Sequence, residues 1–244
     1  MTLNEQQLRF FKTEGYLSVP DAFDDDQIQG LVRRTEELCN NWDSEEARRV
    51  SIAHEPGVGE DASPSTIRKM SSLAEHEPVF RSHACNQDLA EMVAQLIGRP
   101  VDLYGDQLLL KPPRYGTEKP PHQDNAYFKV EPADAVITCW TALDDATEEN
   151  GCMRYFSGSH LNGLVEHDAI PGTPHLVPPG LDNSTSTAVP IKAGGCIFHH
   201  SQCLHHSHPN RSDSGRRAYV CHFVNRDADF SLFSGFKAVM PVLD

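Results

Sequence analysis

The apolar residues of the first hundred positions recur mainly at helical spacing. Residues 4–14 predict a helix that ends at Gly15, because glycine readily adopts the left-handed conformation that closes a helix. A second helix is predicted over residues 25–41. The clearest helical pattern is QDLAEMVAQLIG, residues 87–98, whose apolar side chains fall at positions i, i+3, i+4, i+7 and i+8. About the first 98 residues are therefore predicted to form a helical layer.

Two segments between these helices have other patterns. The run YLSVP, residues 16–20, predicts a short strand. Residues 43–66 are polar and contain Gly57, Gly59 and Pro64, so we expect a loop, placed to cover a site.

From Val101 onward the pattern changes to short runs of β-branched and aromatic residues. These runs are VDLYGDQLLL, HQDNAYFKV, AVITCWTAL, CMRYF, TAVPIKA, GCIFHH and RRAYVCHFV. Many short strands separated by turn residues are typical of an antiparallel sandwich or barrel. We therefore predict a mainly β protein with one domain over residues 1–244. In it, the helical part, about 1–98, packs against a jelly-roll over about 99–244.

Composition narrows the range of functions. A formal net charge of −14 argues against a nucleic-acid-binding protein, which needs a positive surface to meet phosphates. It also makes a polyanionic substrate harder to attract, although a local basic patch could still do so, and it favours a small neutral or cationic metabolite. The start of the chain lacks a basic, then apolar, leader, and no apolar run is long enough for a membrane span. Seven cysteines without a C-x-x-C pair predict free thiols. We expect a cytoplasmic monomer or weak dimer.

The motif His122-Gln123-Asp124 is the first candidate for chemistry. On a strand, residues i and i+2 point to the same face, so His122 and Asp124 would project together with Gln123 facing away. One imidazole and one carboxylate are two of the three ligands of the 2-His-1-carboxylate site in non-haem Fe(II) oxygenases. Because H-x-D occurs often by chance, the site needs a second histidine from a distant strand. Residues 198–210, FHHSQCLHHSHPN, offer five.

Arginine is the second candidate. An oxygenase that uses 2-oxoglutarate needs a cation for the far carboxylate of that molecule, and a guanidinium meets a carboxylate with two parallel hydrogen bonds. Arg216 and Arg217 follow the histidine-rich stretch. We expect Arg217 to be an ordinary surface arginine and keep Arg216 as the candidate.

The order of several short motifs resembles the phytanoyl-CoA dioxygenase family, and most closely its small domain-containing members. The motifs are FFKTEGYLSVPDAF, KPP, HQD, CWTAL, ENGC, GSH, LHHSHPN and RRA, so the likeness extends over nearly the whole chain. The resemblance implies a double-stranded β-helix, which is a jelly-roll, that uses Fe(II) and 2-oxoglutarate.

The resemblance also implies the site residues. In this family the second histidine ligand lies in a hydrophobic-His-Gly-Ser-x-x-Asn run, and an arginine follows it eleven residues later. Residues 204–210 fit that run, and Arg216 lies eleven residues after His205. His205 is therefore the implied ligand and Arg216 the implied anchor of 2-oxoglutarate. The further co-substrate contacts implied in this way are Trp140, Ser207, Lys69 and Gln107.

Several side chains keep a second interpretation. Trp140 is equally well explained as a core aromatic residue. His206 and His208 stand where the family tends to have glycine; of the two alternatives, lining the pocket or facing solvent, we expect both residues to face solvent. His199 and His200 are neighbours on the preceding strand, so at most one faces the barrel, where packing or support of a ligand is the expected role.

The predicted function is that of an oxidoreductase, an Fe(II)- and 2-oxoglutarate-dependent dioxygenase. It would hydroxylate a small-molecule metabolite with O2 and release succinate and CO2. Desaturation, cyclisation and epimerisation use the same kind of site and stay open. A jelly-roll that only binds a metal or ligand also stays open. A zinc enzyme of the cupin type is disfavoured because it has no use for Arg216, and Asp124 disfavours a halogenase.

Overall fold

A computed structural model describes residues 1–229 and 240–244 of the chain. The predicted domain also includes residues 230–239, which lie outside the described residues. In the described part, the α-helices are α1 (Glu5–Glu14), α2 (Asp25–Asn40), α3 (Leu73–His76), α4 (Pro78–Ala84), α5 (Gln87–Ile97) and α6 (Asn125–Phe128).

The strands alternate with these helices at first and then dominate the chain. The first seven are β1 (Tyr16–Val19), β2 (Ser51–His54), β3 (Ile67–Ser71), β4 (Val101–Lys111), β5 (Lys119–His122), β6 (Val136–Ala142) and β7 (Met153–Tyr155). They are followed by β8 (Asp168–Ala169), β9 (Leu176–Val177), β10 (Thr187–Val189), β11 (Cys196–His200), β12 (His205–Ser207), β13 (Arg216–Asn225) and β14 (Met240–Leu243).

Two antiparallel sheets face each other and form the predicted jelly-roll. The main sheet has the order β1-β11-β6-β13-β4-β3-β2, with β14 paired to the other end of β4. The minor sheet has the order β10-β7-β12-β5, and β8 and β9 form a separate hairpin. Because β1, β2 and β3 come from the N-terminal part of the chain, that part supplies edge strands of the main sheet as well as helices.

The main sheet is buried on both faces, and its alternating side chains serve two different layers. On β11, Phe198 packs into the cluster formed with the helices, whereas Ile197 and His199 face the minor sheet. A strand alternates its side chains between two faces, so neighbouring histidines on β11 must point to opposite sides. The outer cluster includes Leu31 of α2 and Met92 of α5. The inner layer is where the candidate chemistry lies.

The predicted helices are confirmed together with their ends. Asn4 caps α1 with a reciprocal capping box, and Gly15 ends it at φ 79°. Asp24 caps α2 in the same way. Asn86 caps α5, which ends before Gly98.

Two predictions of local structure were wrong. Residues 43–66 are not all loop, because β2 lies within them and pairs with β3 at the edge of the main sheet. The run HQDNAYFKV is not a strand, because β5 ends at His122 and the chain turns into α6. Polar strands at sheet edges lack the apolar alternation that identifies strands in a sequence, and a four-residue helix is too short for a helical period.

The described cysteines are free thiols, as predicted. Five of the seven are buried: Cys139, Cys152, Cys196, Cys203 and Cys221. Among the described residues, none of the helices combines the length and apolar character that crossing a bilayer requires.

His83 shows how tightly the helices pack on the main sheet. Its ring lies on α4 between Phe23 and Tyr219, with ring centroids 4.4 and 5.6 Å away. Its Nε2 lies 3.1 Å from the hydroxyl of Thr141. Burial lowers the pKa of His83 to about 4, because the apolar surroundings disfavour the charged ring.

We expect the free energy of unfolding to fall as the pH is lowered from about 6.5 to about 4, in part because of His83. In the unfolded chain the ring takes up a proton near pH 6.5, but in the folded protein only near pH 4. Proton uptake therefore favours unfolding within this window. Above pH 6.5 the ring is neutral in both the folded and the unfolded state, so His83 no longer favours unfolding. The difference in pKa corresponds to a loss of about 3 kcal/mol in the free energy of unfolding at low pH.

Urea unfolding of the natural protein and of His83→Gln between about pH 4.5 and 7 tests this linkage. In the variant, the change of the free energy of unfolding with pH should be smaller by up to ~1.4 kcal/mol per pH unit. An NMR titration of the folded protein should find the His83 ring neutral down to about pH 5. Equal slopes in the two proteins would contradict the assignment.

Candidate metal centre and its cavity

Three buried side chains converge at one end of the space between the sheets. His122 is the last residue of β5, Asp124 lies just before α6, and His205 is the first residue of β12. One ligand atom from each lies within 4.8 Å of the others. Oδ1 of Asp124 is 3.6 Å from Nε2 of His122 and 3.7 Å from Nε2 of His205. This spacing is suited to a single metal ion, and the predicted triad is brought together.

Strand pairing places the two histidines. In the register of β12 and β5, His205 is directly opposite His122, and the ring centroids are 4.2 Å apart. Each Nδ1 donates to a nearby backbone carbonyl, that of Pro120 for His122 and that of Cys203 for His205, both at 2.9 Å. Because Nδ1 carries the proton, the lone pair of each Nε2 points to the shared centre.

Asp124 reaches the centre by a different route from the predicted one. Its backbone has φ −59° and ψ −37°, which is helical, so alternation along a strand does not place it. Between the two ligands, Gln123 is fully buried and donates to the carbonyls of Gly163 and Gln202 at 2.8 and 2.6 Å. Those hydrogen bonds fix the turn that places the side chain of Asp124 beside that of His122.

The second oxygen of Asp124 is held by the main sheet. Oδ2 accepts hydrogen bonds from the hydroxyl of Thr138 at 2.6 Å and from Nε2 of His199 at 3.1 Å. Nδ1 of His222 lies 2.9 Å from the Thr138 hydroxyl, and the hydroxyl of Tyr155 lies 3.0 Å from Nδ1 of His199. With Oδ2 occupied by two donors, Oδ1 is the oxygen left for a metal.

The protonation states suit metal binding. Burial is the largest influence on Asp124 and acts to raise its pKa. The neighbouring imidazoles, His205 first and then His122 and His199, outweigh it and hold the pKa well below the usual value. Burial and the nearby Lys119 lower the pKa of His122 to about 4. Burial, then His122 and His199, lower the pKa of His205 well below its usual value. Near neutral pH the set is two neutral imidazoles and one carboxylate.

A cavity of about 550 Å³ opens from this centre, and every predicted co-substrate residue lines it. Lys69 comes from β3, Gln107 from β4, Trp140 from β6, Ser207 from β12 and Arg216 from β13. Gln107 also lies 3.4 Å from Nε2 of His222 through its side-chain nitrogen.

Arg216 is the most unusual of these residues. Its side chain is 2% exposed, and its Nε and Nη1 have no hydrogen-bond partner among the described residues. Its guanidinium carbon lies 5.4 Å from the centre of the Trp140 ring. Burial lowers the pKa of Arg216 to about 10, so the group still carries its charge near neutral pH. A buried cation with unused donors is costly unless an anion meets it.

Arg217 shows the contrast expected from the sequence. It points away from the cavity, where Asp144 accepts from its Nε and Nη2 at 2.8 and 2.7 Å. Glu36 accepts from its Nη1 at 2.8 Å. Arg217 thus joins the helices to the outer face of the main sheet, as a structural ion pair rather than a ligand site.

The five histidines of residues 198–210 have different surroundings. His199 supports Asp124, whereas His200 points outward and lies 2.8 Å from Oδ1 of Asp134. His208 is exposed, as predicted. The prediction for His206 was wrong: it is 3% exposed and lies 2.8 Å from the hydroxyl of Ser186. The chain before β10 covers this outer side of the minor sheet, which the local sequence does not reveal.

Sequence analysis missed most of the residues around the triad. Thr138 and His222 reach Asp124 only through strand pairing, in which both His199 and His222 lie opposite Thr138. The other polar side chains that line the cavity and were not predicted include Arg68, Lys111, Lys119 and His175. The only signal in the sequence was proximity, since Lys119 lies three residues before His122.

Comparison with known proteins adds a family and a fold. The family model described as "Phytanoyl-CoA dioxygenase (PhyH)" matches residues 11–218. The chain is 28% identical over 257 residues to "Phytanoyl-CoA dioxygenase" of Arabidopsis thaliana, with 93% of this chain and 90% of that one covered. It is 27% identical over 263 residues to the mouse "Phytanoyl-CoA dioxygenase domain-containing protein 1", with 91% and 90% covered.

Solved structures share the fold at lower identity. The carbocyclase SnoK, described as non-heme and alpha ketoglutarate dependent, has a TM-score of 0.76 at 24% identity, with 98% of this chain and 96% of that one covered. The epimerase SnoN, solved with Fe3+, alpha ketoglutarate and nogalamycin RO, has a TM-score of 0.73 at 22% identity, with 93% and 85% covered. EctD from S. alaskensis, solved with 2-oxoglutarate and 5-hydroxyectoine, has a TM-score of 0.72 at 20% identity, with 91% and 76% covered.

We expect His205→Ala to weaken binding of a divalent metal by at least about tenfold, whereas His206→Ala keeps most of the affinity. Loss of one coordination bond to a buried ion removes far more binding free energy than loss of a hydrogen bond outside the centre. Anaerobic titration with Fe(II), with circular dichroism to check folding, measures both variants. Equal losses of metal affinity in the two variants, or a loss in His206→Ala alone, would contradict the assignment of His205 as the ligand and the register of β12.

Proposed function

The chain belongs to the phytanoyl-CoA dioxygenase family, and from this premise we propose that it is an Fe(II)- and 2-oxoglutarate-dependent dioxygenase that hydroxylates a small-molecule metabolite. An iron- and 2-oxoglutarate-dependent oxygenase is the enzyme class that the family supports. The observation that carries the proposal is Arg216, a buried guanidinium with unused donors in the same cavity as the three metal-ligand side chains. Hydroxylation as the outcome is our own inference.

The donor set fits Fe(II). Two imidazoles and one carboxylate are the ligands that non-haem Fe(II) oxygenases use, and they leave coordination positions open for other molecules. His122, Asp124 and His205 would hold the ion, and their exposures of 4–7% keep bulk water away. A zinc enzyme can use the same ligand types, but it has no need of a buried arginine beside them.

The cavity fits 2-oxoglutarate. Arg216 would meet its far carboxylate with two parallel hydrogen bonds, and the buried surroundings strengthen such a charged pair relative to water. We propose that Ser207, Trp140, Lys69 and Gln107 complete the co-substrate site, since all four line the cavity together with Arg216. Trp140 would pack beside the guanidinium, which its ring already contacts.

The protein's own contribution would be positioning. Bound iron, 2-oxoglutarate and O2 would together supply the oxidising chemistry, with succinate and CO2 as the co-products. Thr138 and His199 hold one oxygen of Asp124 and leave the other for the ion. Gln123 ties down the turn between His122 and Asp124 through hydrogen bonds of the protein itself. Such preorganisation avoids reorganisation during the reaction.

Other reactions at this site remain alternatives. A carbocyclase and an epimerase are among the similar structures, but at 24% identity or less they carry the fold alone. A jelly-roll that binds a metal without catalysis would leave Arg216 without a purpose, because a buried unpaired cation lowers stability. Hydroxylation is preferred because it needs no further residue beyond those in the cavity.

Two measurements test the enzyme class and then the reaction. Adding Fe(II) and 2-oxoglutarate to the protein without oxygen should produce a weak visible charge-transfer absorption, and Asp124→Ala should not. Admission of O2 together with a panel of metabolites should release succinate, and mass spectrometry should find a product heavier by one oxygen atom. Succinate release by Asp124→Ala at a near-normal rate would contradict the assignment of the three metal ligands. A product that lacks the added oxygen would replace hydroxylation with one of the alternatives.

We expect Arg216→Ala to raise the apparent KM for 2-oxoglutarate by roughly tenfold or more, and Arg216→Lys to restore only part of the loss. Charged hydrogen bonds contribute about 1.5–3 kcal/mol, and lysine lacks the planar fork that makes two of them at once. Steady-state succinate release at varied 2-oxoglutarate measures the effect. Arg217→Ala is the matched neighbour, and a larger rise in KM for that variant would overturn the role of Arg216.

A further inference from the structure

The interior of the cavity and the surface of the protein have opposite charges. The whole chain has a formal net charge of −14. Among the described residues, five cationic side chains nevertheless line the cavity against two carboxylates, an excess of three. The cations are Arg68, Lys69, Lys111, Lys119 and Arg216, and the carboxylates are Glu118 and Asp124.

The proposed iron and 2-oxoglutarate do not remove this excess. Fe(II) brings two positive charges and 2-oxoglutarate two negative ones, so together they leave the balance unchanged. Lys111 is committed elsewhere, because its Nζ donates to the carbonyls of Thr117 and His208 at 2.6 and 2.7 Å. Burial, then the charge of Arg216, lowers the pKa of Lys111 to about 6, so it adds little charge near neutral pH. About two positive charges still lack a counterion.

Arg68 and Lys119 are the cations that no part of the proposed reaction uses. Among the described residues, neither lies within 4.0 Å of a carboxylate oxygen. Nε of Arg68 is buried and has no hydrogen-bond partner among these described residues. The ammonium of Lys119 lies 3.3 Å from Nδ1 of His175 and 5.2 Å from the centre of the Tyr127 ring, both uncharged neighbours. Both side chains are half-buried, and withdrawing a cation from water without an anion to meet it costs free energy.

The two cations face the same space. The pKa of Lys119 is lowered to about 8, mainly by burial; Asp124 opposes this effect, and the charge of Arg68 adds to it. Burial, then Lys119 and Arg68, lower the pKa of His175 to about 4. Each of these groups therefore lies within electrostatic reach of the others, across the cavity from β3 to β5.

The position of Lys119 determines how far from the metal centre a ligand bound to it would lie. Lys119 and His122 are the two ends of β5, so their Cα atoms are separated by roughly 10 Å. The β8–β9 hairpin closes this side, since the backbone N–H of Leu176 donates to the hydroxyl of Tyr127 at 2.8 Å. A ligand held by Lys119 would thus lie between the hairpin and the metal.

We propose that Arg68 and Lys119 bind an anionic group of the substrate, a carboxylate or a phosphate, and that the substrate is a small anionic metabolite. This inference rests on the proposed function, whose substrate class it specifies. It replaces the expectation from net charge, because the field inside a cavity depends on the side chains that line it. The anionic exterior does not prevent entry, since charges beyond about 10 Å are screened at physiological salt.

Binding of simple anions tests the proposal without knowledge of the substrate. Methyl phosphate and propionate are titrated into protein loaded anaerobically with Fe(II) and 2-oxoglutarate, and the heat of binding is measured. At least one of them should bind, and the stronger of the two identifies the group. Arg68→Gln and Lys119→Gln should each weaken that binding roughly tenfold or more, and Arg68→Lys less so. The exposed cations Arg33 and Lys12 supply matched controls, Arg33→Gln and Lys12→Gln, which should bind as the natural protein does.

Three outcomes would overturn the proposal: neither anion binds, the two cavity variants bind as well as the controls, or Arg68→Gln weakens 2-oxoglutarate more than the anion. The last result would assign Arg68 to the co-substrate site. Titration of metal-free Arg216→Ala protein separates this test from the proposed function, because there the anion can meet Arg68 and Lys119 without iron or 2-oxoglutarate. Failure of the protein to form the Fe(II) and 2-oxoglutarate complex would count only against the proposed function.

Discussion

The carboxylate of Asp124 is the interaction on which the two halves of the site depend. It belongs to the chain that leaves the minor sheet, yet its Oδ2 is held by Thr138 and His199 of the main sheet. The two sheets therefore meet through one buried anion rather than through apolar packing alone. A buried carboxylate is tolerated only when donors surround it. The position of the ligand oxygen follows from that requirement, because the two donors fix the other oxygen of the carboxylate.

Much of this arrangement could be predicted from the sequence, partly from local patterns and partly from the resemblance to a family. The helices α1, α2 and α5 follow from local signals, namely capping residues and apolar periodicity, and these do not depend on the rest of the fold. The triad and Arg216 came from a motif order that resembles a family, and the structure brings all four to one cavity. The reason first given for Asp124, alternation along a strand, was wrong, because hydrogen bonds of Gln123 to residues far along the chain set that turn.

What could not be predicted depends on contacts between distant segments. His206 is buried because another part of the chain covers the minor sheet, and its own neighbours in sequence carry no trace of this. Thr138 and His222 become part of the site only through the register of three strands. The charge of the cavity was hidden for the same reason, since Arg68, Lys119 and Arg216 lie far apart in sequence and net charge averages over them. Patterns report local geometry, whereas sites are made by tertiary contacts.

The buried cysteines have a consequence for the chemical durability of the protein. Burial raises the pKa of Cys203, two residues before the ligand His205, to about 12, and that of Cys221 well above its usual value. Oxidants attack the thiolate form of cysteine much faster than the thiol, so groups held in the thiol form react slowly even beside a source of reactive oxygen. Packing alone thus gives these buried thiols a passive resistance to oxidation.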